Sequence, residues 1–141
     1  MRNKIILSSA FTLSFVIFLG ACGNEANVKY QRYYADGSQV YKIYCENCHM
    51  SKGEGLADLI PALTDTTFLR ENRAKLPCFV NNGLKDSIQI NGKIYQSLMP
   101  AEKNLAAIDV AKVLTYVTNS FGNNQGIYDV KEVENQLNQC N

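Results

Sequence analysis

One five-residue motif constrains this chain more than any other feature. Cys45-Glu46-Asn47-Cys48-His49 places two thiols three positions apart and puts an imidazole directly after the second thiol. Residues three positions apart are neighbours on a helix, so both thiols can reach one rigid group. His49 is the only histidine in the 141 residues, and any role that needs an imidazole therefore falls to it.

This motif is the attachment pattern of haem c. Its two thiols can reach both vinyl groups of one porphyrin, and the histidine then lies under the iron. Three alternatives compete: a thioredoxin-like site after a strand, a zinc site with a second pair of ligands, and a plain disulfide within the motif. The segment before the motif looks helical, and Cys78 and Cys140 are far apart with no histidine beside them. We predict one covalent haem c bound by Cys45 and Cys48, with His49 as an iron ligand.

A methionine is the candidate for the sixth iron ligand. Of the three methionines, Met1 is the first residue of the leader described below, and Met50 adjoins His49 and cannot reach the other face of the porphyrin. Met99 remains, and its alternative role is ordinary packing. Ligation by His and Met is typical of electron-transfer sites, whereas an open position is typical of ligand binding or catalysis.

Hydrophobic periodicity predicts two helices that would form the core. One begins at about Asp36 or Ser38 and runs into the haem motif, with Gly37 and Tyr41 on the face that carries the thiols. The other spans 110–121, where valine, leucine and phenylalanine recur at helical spacing. We expect these helices to cross, with Tyr41 and Tyr116 filling the joint.

These residues and several others are spaced as in one known family. The matching set is Gly37, Tyr41, the haem motif, Pro61, Leu63, Met99-Pro100 and the aliphatic segment 113–117. Over roughly residues 36–121 the chain therefore resembles the class I monohaem cytochromes c. The resemblance implies an all-α fold with crossed terminal helices around one haem. It also implies that Leu63 belongs to the haem site and that the Pro61 carbonyl accepts a hydrogen bond from His49, although an ordinary loop proline is the alternative.

The segment Ser87 to Tyr95 predicts a small β-hairpin before Met99. Aliphatic residues alternate on both sides of Asn91-Gly92, a pair that suits a type I′ turn because both residues tolerate positive φ. The hairpin is expected to position the loop that carries Met99. Such a hairpin before Met-Pro looks like cytochrome c domains of bacterial respiratory and denitrifying systems.

Three further helices are predicted. The first is capped by Thr64 or Asp65 and runs to about Lys75, with Pro77 marking its end. A short one spans about 78–82 and is closed by Gly83. The last spans about 128–139, with Asp129 as its cap, and lies in a C-terminal extension that begins at about residue 122.

The first 21 residues have the layout of an export signal. Two cations, Arg2 and Lys4, precede an uncharged apolar run that is too short for a comfortable membrane span. The run ends in Leu19-Gly20-Ala21-Cys22, which resembles the bacterial lipoprotein signal, in which the cysteine becomes the lipid-bearing N-terminus. An uncleaved anchor is the alternative. We predict a signal peptide over 1–21, lipidation of Cys22, a tether over 22–35 and a cytochrome domain over 36–141.

Cys78 and Cys140 are the two cysteines left after these assignments. In an exported protein a disulfide between them is the simplest outcome. It would connect the C-terminal extension to the middle of the domain. Two unpaired thiols, or an intermolecular bond through Cys140, are the alternatives.

Charge narrows the functional classes. The chain has 14 Lys and Arg against 13 Asp and Glu, and loss of the leader would leave 12 against 13. It therefore lacks the excess of basic residues that is typical of proteins that bind nucleic acid. We predict a membrane-anchored electron carrier, on the periplasmic or outer side of a bacterial membrane, with redox proteins as partners and no small-molecule substrate. The alternatives are a haem-bearing subunit of an oxidase or reductase complex, or a haem enzyme or sensor with a labile sixth ligand. A peroxidase would need a second, distal histidine, which the chain lacks.

Overall fold

A computed structural model describes residues 25–140. The predicted signal peptide, the Cys22 lipidation site and the start of the predicted tether lie outside this range. The described part is mostly helical, with one small antiparallel sheet. Its elements are α1 (Glu25–Tyr44), α2 (Glu46–His49), α3 (Thr66–Glu71), a 3₁₀ turn (Arg73–Lys75), α4 (Leu76–Asn82), β1 (Ile88–Ile90), β2 (Lys93–Tyr95), α5 (Ala107–Val117) and α6 (Val130–Leu137). Within residues 25–140, no helix is both long and apolar enough to span a membrane.

Helices α1 and α5 form the centre of the core, as the periodicity predicts. They approach very closely at Gly37, where an added Cβ would lie 2.0 Å from the Lys112 carbonyl oxygen. The rings of Tyr41 and Tyr116 meet beside this point with centroids 5.3 Å apart, and Phe121 packs against both. The α5 stripe at 110, 113, 114 and 117 is buried, which confirms its assignment to the core.

The prediction that α1 begins at about residue 36 is wrong, because the helix begins at Glu25. Residues 25–35, assigned to a tether, form its first turns and pack on the domain. Tyr33 is buried, and the Tyr34 ring lies 5.1 Å from that of Tyr116. The Tyr34 hydroxyl also shares a hydrogen bond of 2.9 Å with Ser120. These partners are distant in sequence, so the local pattern does not reveal them.

The middle of the chain differs from the prediction where α3 ends and where α4 begins. Asp65 caps α3 by accepting a hydrogen bond of 2.7 Å from the Phe68 amide, which confirms this cap. The helix ends at Glu71 rather than near Lys75, and a 3₁₀ turn leads into α4. Pro77 does not end a helix; it lies in the first turn of α4, where its missing N–H has no helical partner to lose.

The hairpin and the last helix agree with their predictions. Asn91 and Gly92 have φ of 50° and 77°, and Ile90 pairs with Lys93 across the turn. The Asp129 side chain caps α6 by accepting a hydrogen bond of 2.9 Å from the Lys131 amide. Cys78 and Cys140 form a disulfide, with their Cα atoms 5.6 Å apart, so the predicted pairing is present.

Candidate functional site

The residues that the sequence assigns to a haem site line one cleft. Two adjoining pockets, of about 760 and 730 Å³ including space open to solvent, share the same wall. We call them together the apolar cleft. Its shared wall consists of Cys45, His49, Pro61, Val80, Leu84, Ile88 and Met99. The outer pocket adds Cys48 and the exposed Leu98, whereas the inner pocket adds Leu63 and reaches the core face of α5.

Both thiols are unpaired in the described part of the chain, so they do not form the plain disulfide considered as an alternative. Cys45 lies at the break between α1 and α2, where its amide still bonds to the Tyr41 carbonyl at 2.9 Å. The Cys45 carbonyl in turn accepts the His49 amide at 2.9 Å, which fixes one turn of helix across the motif. The break therefore holds both thiols and the imidazole on one short, rigid segment at the cleft.

His49 is oriented by a backbone carbonyl. Its Nδ1 lies 3.2 Å from the Pro61 oxygen. Since a carbonyl can only accept, Nδ1 carries the hydrogen and Nε2 keeps its lone pair free for a ligand. Burial lowers the pKa of His49, while the Pro61 hydrogen bond opposes this shift. The neutral imidazole favoured by burial is the form that binds metals.

The loop that presents Pro61 is tightly folded around a glycine. Gly55 has φ of 68°, and an added Cβ would lie 2.3 Å from the Ile60 oxygen and 2.8 Å from the Pro61 oxygen. Leu63 bonds to the Gly53 carbonyl at 2.7 Å, and its own carbonyl accepts from the Asn123 amide group at 2.9 Å. The second of these bonds connects the loop to the far end of the chain.

Met99 is held by a second glycine and by backbone bonds. Leu84 and Met99 exchange two backbone hydrogen bonds of 3.0 Å each, as an isolated β-bridge. Gly83 makes this possible, because an added Cβ there would lie 2.3 Å from the Met99 oxygen. The sequence predicts Gly83 only as the end of a helix. Nothing in the local pattern shows that the Met99 loop approaches it.

The charged residues among those that line the cleft are all acidic: Asp65, Asp86 and Glu102. Burial raises the pKa of the Cys45 thiol to about 12, and the nearby Glu102 carboxylate adds to this shift. Glu102 is a site residue that sequence reasoning missed, because it follows Met99 in a segment without a motif. Any group in the cleft would therefore be close to a negative charge.

The residues of the cleft fit a haem c. Two unpaired thiols, an oriented imidazole and a thioether line a mostly apolar space that extends from solvent to the core. Among the described residues, no three His, Cys, Asp or Glu side chains gather to hold a metal ion. A porphyrin supplies four of its iron's ligands itself, so a haem would need no more than one imidazole and one thioether from the protein.

Comparison with known proteins adds no identification. No family model matches the chain, and no curated protein matches it significantly.

The fold around Pro61 can be tested with a matched pair of glycine substitutions. Gly55 and Gly92 have similar positive φ, but nothing lies within 4 Å of an added Cβ at Gly92. Both changes carry the same backbone strain, and only Gly55→Ala adds a clash. We expect Gly55→Ala to lose about 1–3 kcal/mol more unfolding free energy than Gly92→Ala, measured by denaturant titration. Equal losses would show that the close approach at Gly55 does not constrain the loop.

Proposed function

We propose that this protein is an exported class I monohaem cytochrome c that transfers single electrons between redox proteins. The observation that carries the proposal is that His49, Met99, Cys45 and Cys48 all line one apolar cleft. Cys45 and Met99 are 54 positions apart in the sequence, yet the fold brings all four residues to the same cleft. When bound, haem c would supply the one-electron Fe(III)/Fe(II) couple.

The protein's own residues have separable tasks in this proposal. Cys45 and Cys48 would hold the group covalently, and His49 and Met99 would ligate its iron. The Pro61 carbonyl keeps Nδ1 protonated and increases the electron density of the imidazole. Core residues of α5 line the inner pocket and exclude water there, while Leu59 and Leu98, 58% and 72% exposed, lie at the solvent side. With both His49 and Met99 bound, the iron would have no open position for a substrate.

The two methionines of the described chain provide the direct test. The purified protein is expected to keep its haem after denaturation, because the thioether bonds are covalent. Met99→Ala should keep that haem but lose the sulfur-to-iron charge-transfer band of the oxidised protein, because the sulfur ligand is gone. Met50→Ala, next to His49, should keep both. Absence of covalent haem would contradict the proposal, and a band that survives in Met99→Ala would remove Met99 as the ligand.

Glu102 is expected to tune the reduction potential. Its carboxylate beside the cleft favours the more positively charged ferric state, so Glu102→Gln should raise the midpoint potential by tens of millivolts, on the order of a screened Coulomb interaction. Potentiometric titration measures this shift. Glu134→Gln, an exposed acid on α6, is the matched control and should leave the potential unchanged. Equal potentials for all three proteins would show that Glu102 exerts no field on the iron.

The membrane location is a second part of the proposal. It rests on the leader sequence and Cys22, and we expect the mature protein to fractionate with membranes through a lipid on Cys22. Cys22→Ser should abolish lipid attachment and change the fractionation. Ser9→Ala, which alters the leader but keeps the thiol, should behave as the wild type. Unchanged mass and fractionation of the Cys22→Ser protein would refute lipidation.

A further inference from the structure

The C-terminal extension, defined as residues 122–140, is part of the core rather than a loose end. Tyr128 and Val133 are completely buried, and α6 packs against both α4 and α5. Its last described residue, Cys140, is bonded to Cys78 in α4. The extension therefore packs against α4 and is bonded to it at Cys78.

Arg73 connects the extension to the turn that leads into α4. Its guanidinium stacks 3.8 Å from the centroid of the Tyr128 ring and donates to the Ile127 carbonyl at 3.0 Å. It also forms an ion pair with Glu132 at 3.2 Å. In return, the Tyr128 hydroxyl donates to the Arg73 carbonyl at 3.0 Å. These contacts bind the start of α4 to the extension from two directions.

Helix α4 in turn holds the loop that carries Met99. The residue after its closing glycine, Leu84, exchanges two backbone bonds with Met99. Farther along the same loop, the Glu102 amide donates to the Val80 carbonyl within α4 at 3.0 Å. Met99 itself and the segment after it are thus bonded to α4 or to its end.

The extension itself does not reach the cleft. Of the described residues that line it, all precede residue 122. Phe79 and Val80 of α4 are the intermediaries, because they line the cleft on one side of the helix while Cys78 faces Cys140 on another. The bonds between α4 and the Met99 loop therefore give the extension a route to Met99, beside its packing on α5 and the Asn123 bond to Leu63.

We propose that the C-terminal extension is a positioning element for Met99. The Cys78–Cys140 disulfide and the Arg73 contacts hold α4 in place, and α4 holds the Met99 sulfur at the iron. This inference rests on the proposed function, since it assumes that Met99 is the sixth ligand. Loss of the disulfide would raise the fraction of molecules in which the sulfur has left the iron.

The test compares Cys78→Ser/Cys140→Ser with the wild-type holoprotein. We expect a weaker sulfur-to-iron charge-transfer band and an apparent affinity of the ferric protein for added imidazole that is at least about fivefold higher, because imidazole binds where Met99 has left. Hydrogen exchange at the Met99 and Glu102 amides should also be faster. Tyr34→Phe is the control: it removes the bond to Ser120 on the α1 side and should change none of these signals.

A second variant decides the question if the double serine protein does not fold. Arg73→Lys keeps the charge but loses the planar guanidinium that bonds to the extension. It should also weaken the charge-transfer band, raise the imidazole affinity and speed hydrogen exchange at Met99 and Glu102. A folded variant that is less stable, yet keeps the band and an imidazole affinity within about twofold of wild type, would overturn the inference. A wild-type band that does not depend on Met99 would instead overturn the proposed ligation itself, so the two failures are distinguishable.

Discussion

The packing of α1 against α5 is the contact on which the rest of the structure depends. The two helices approach very closely at Gly37, where the Lys112 carbonyl occupies the space that any side chain would need. From this point α1 leads to Cys45, and α5 supplies Val113, Leu114 and Val117 to the inner wall of the cleft. One helix pair therefore sets both the position of the thiols and the back of the space they face.

The two proposed axial ligands are supported in different ways. His49 is held locally, by a helical turn through Cys45 and by the Pro61 carbonyl twelve residues later. Met99 is held by backbone bonds to Leu84, and Glu102 on the same loop bonds to Val80 of α4. Most side-chain substitutions leave backbone amides and carbonyls in place, and both supports lie beside a glycine at which another segment approaches closely. We therefore expect the positions of His49 and Met99 to tolerate most side-chain substitutions along these loops, but not substitutions of Gly55 or Gly83.

Sequence alone predicts those parts of the fold and site that depend on short-range chemistry. The Asp65 and Asp129 caps, the Asn91-Gly92 turn and the α5 stripe follow from local rules, and the structure has all of them. The parts that were missed depend on contacts between distant residues. The early start of α1 reflects tyrosines that pack on α5, and Pro77 was misjudged because a proline suits either the end or the beginning of a helix.

The early start of α1 changes what the proposed lipid anchor would do. A flexible tether of a dozen residues would let the domain move widely over a membrane. Instead, α1 begins three residues after Cys22 and is secured on the domain by Tyr33, Tyr34 and an ion pair between Lys29 and Asp129. Three residues span at most about 11 Å, and the 20-residue helix adds about 30 Å between its first residue and the haem motif. A lipid on Cys22 would therefore hold the domain by a short link, with the haem motif at most about 40 Å from the anchor.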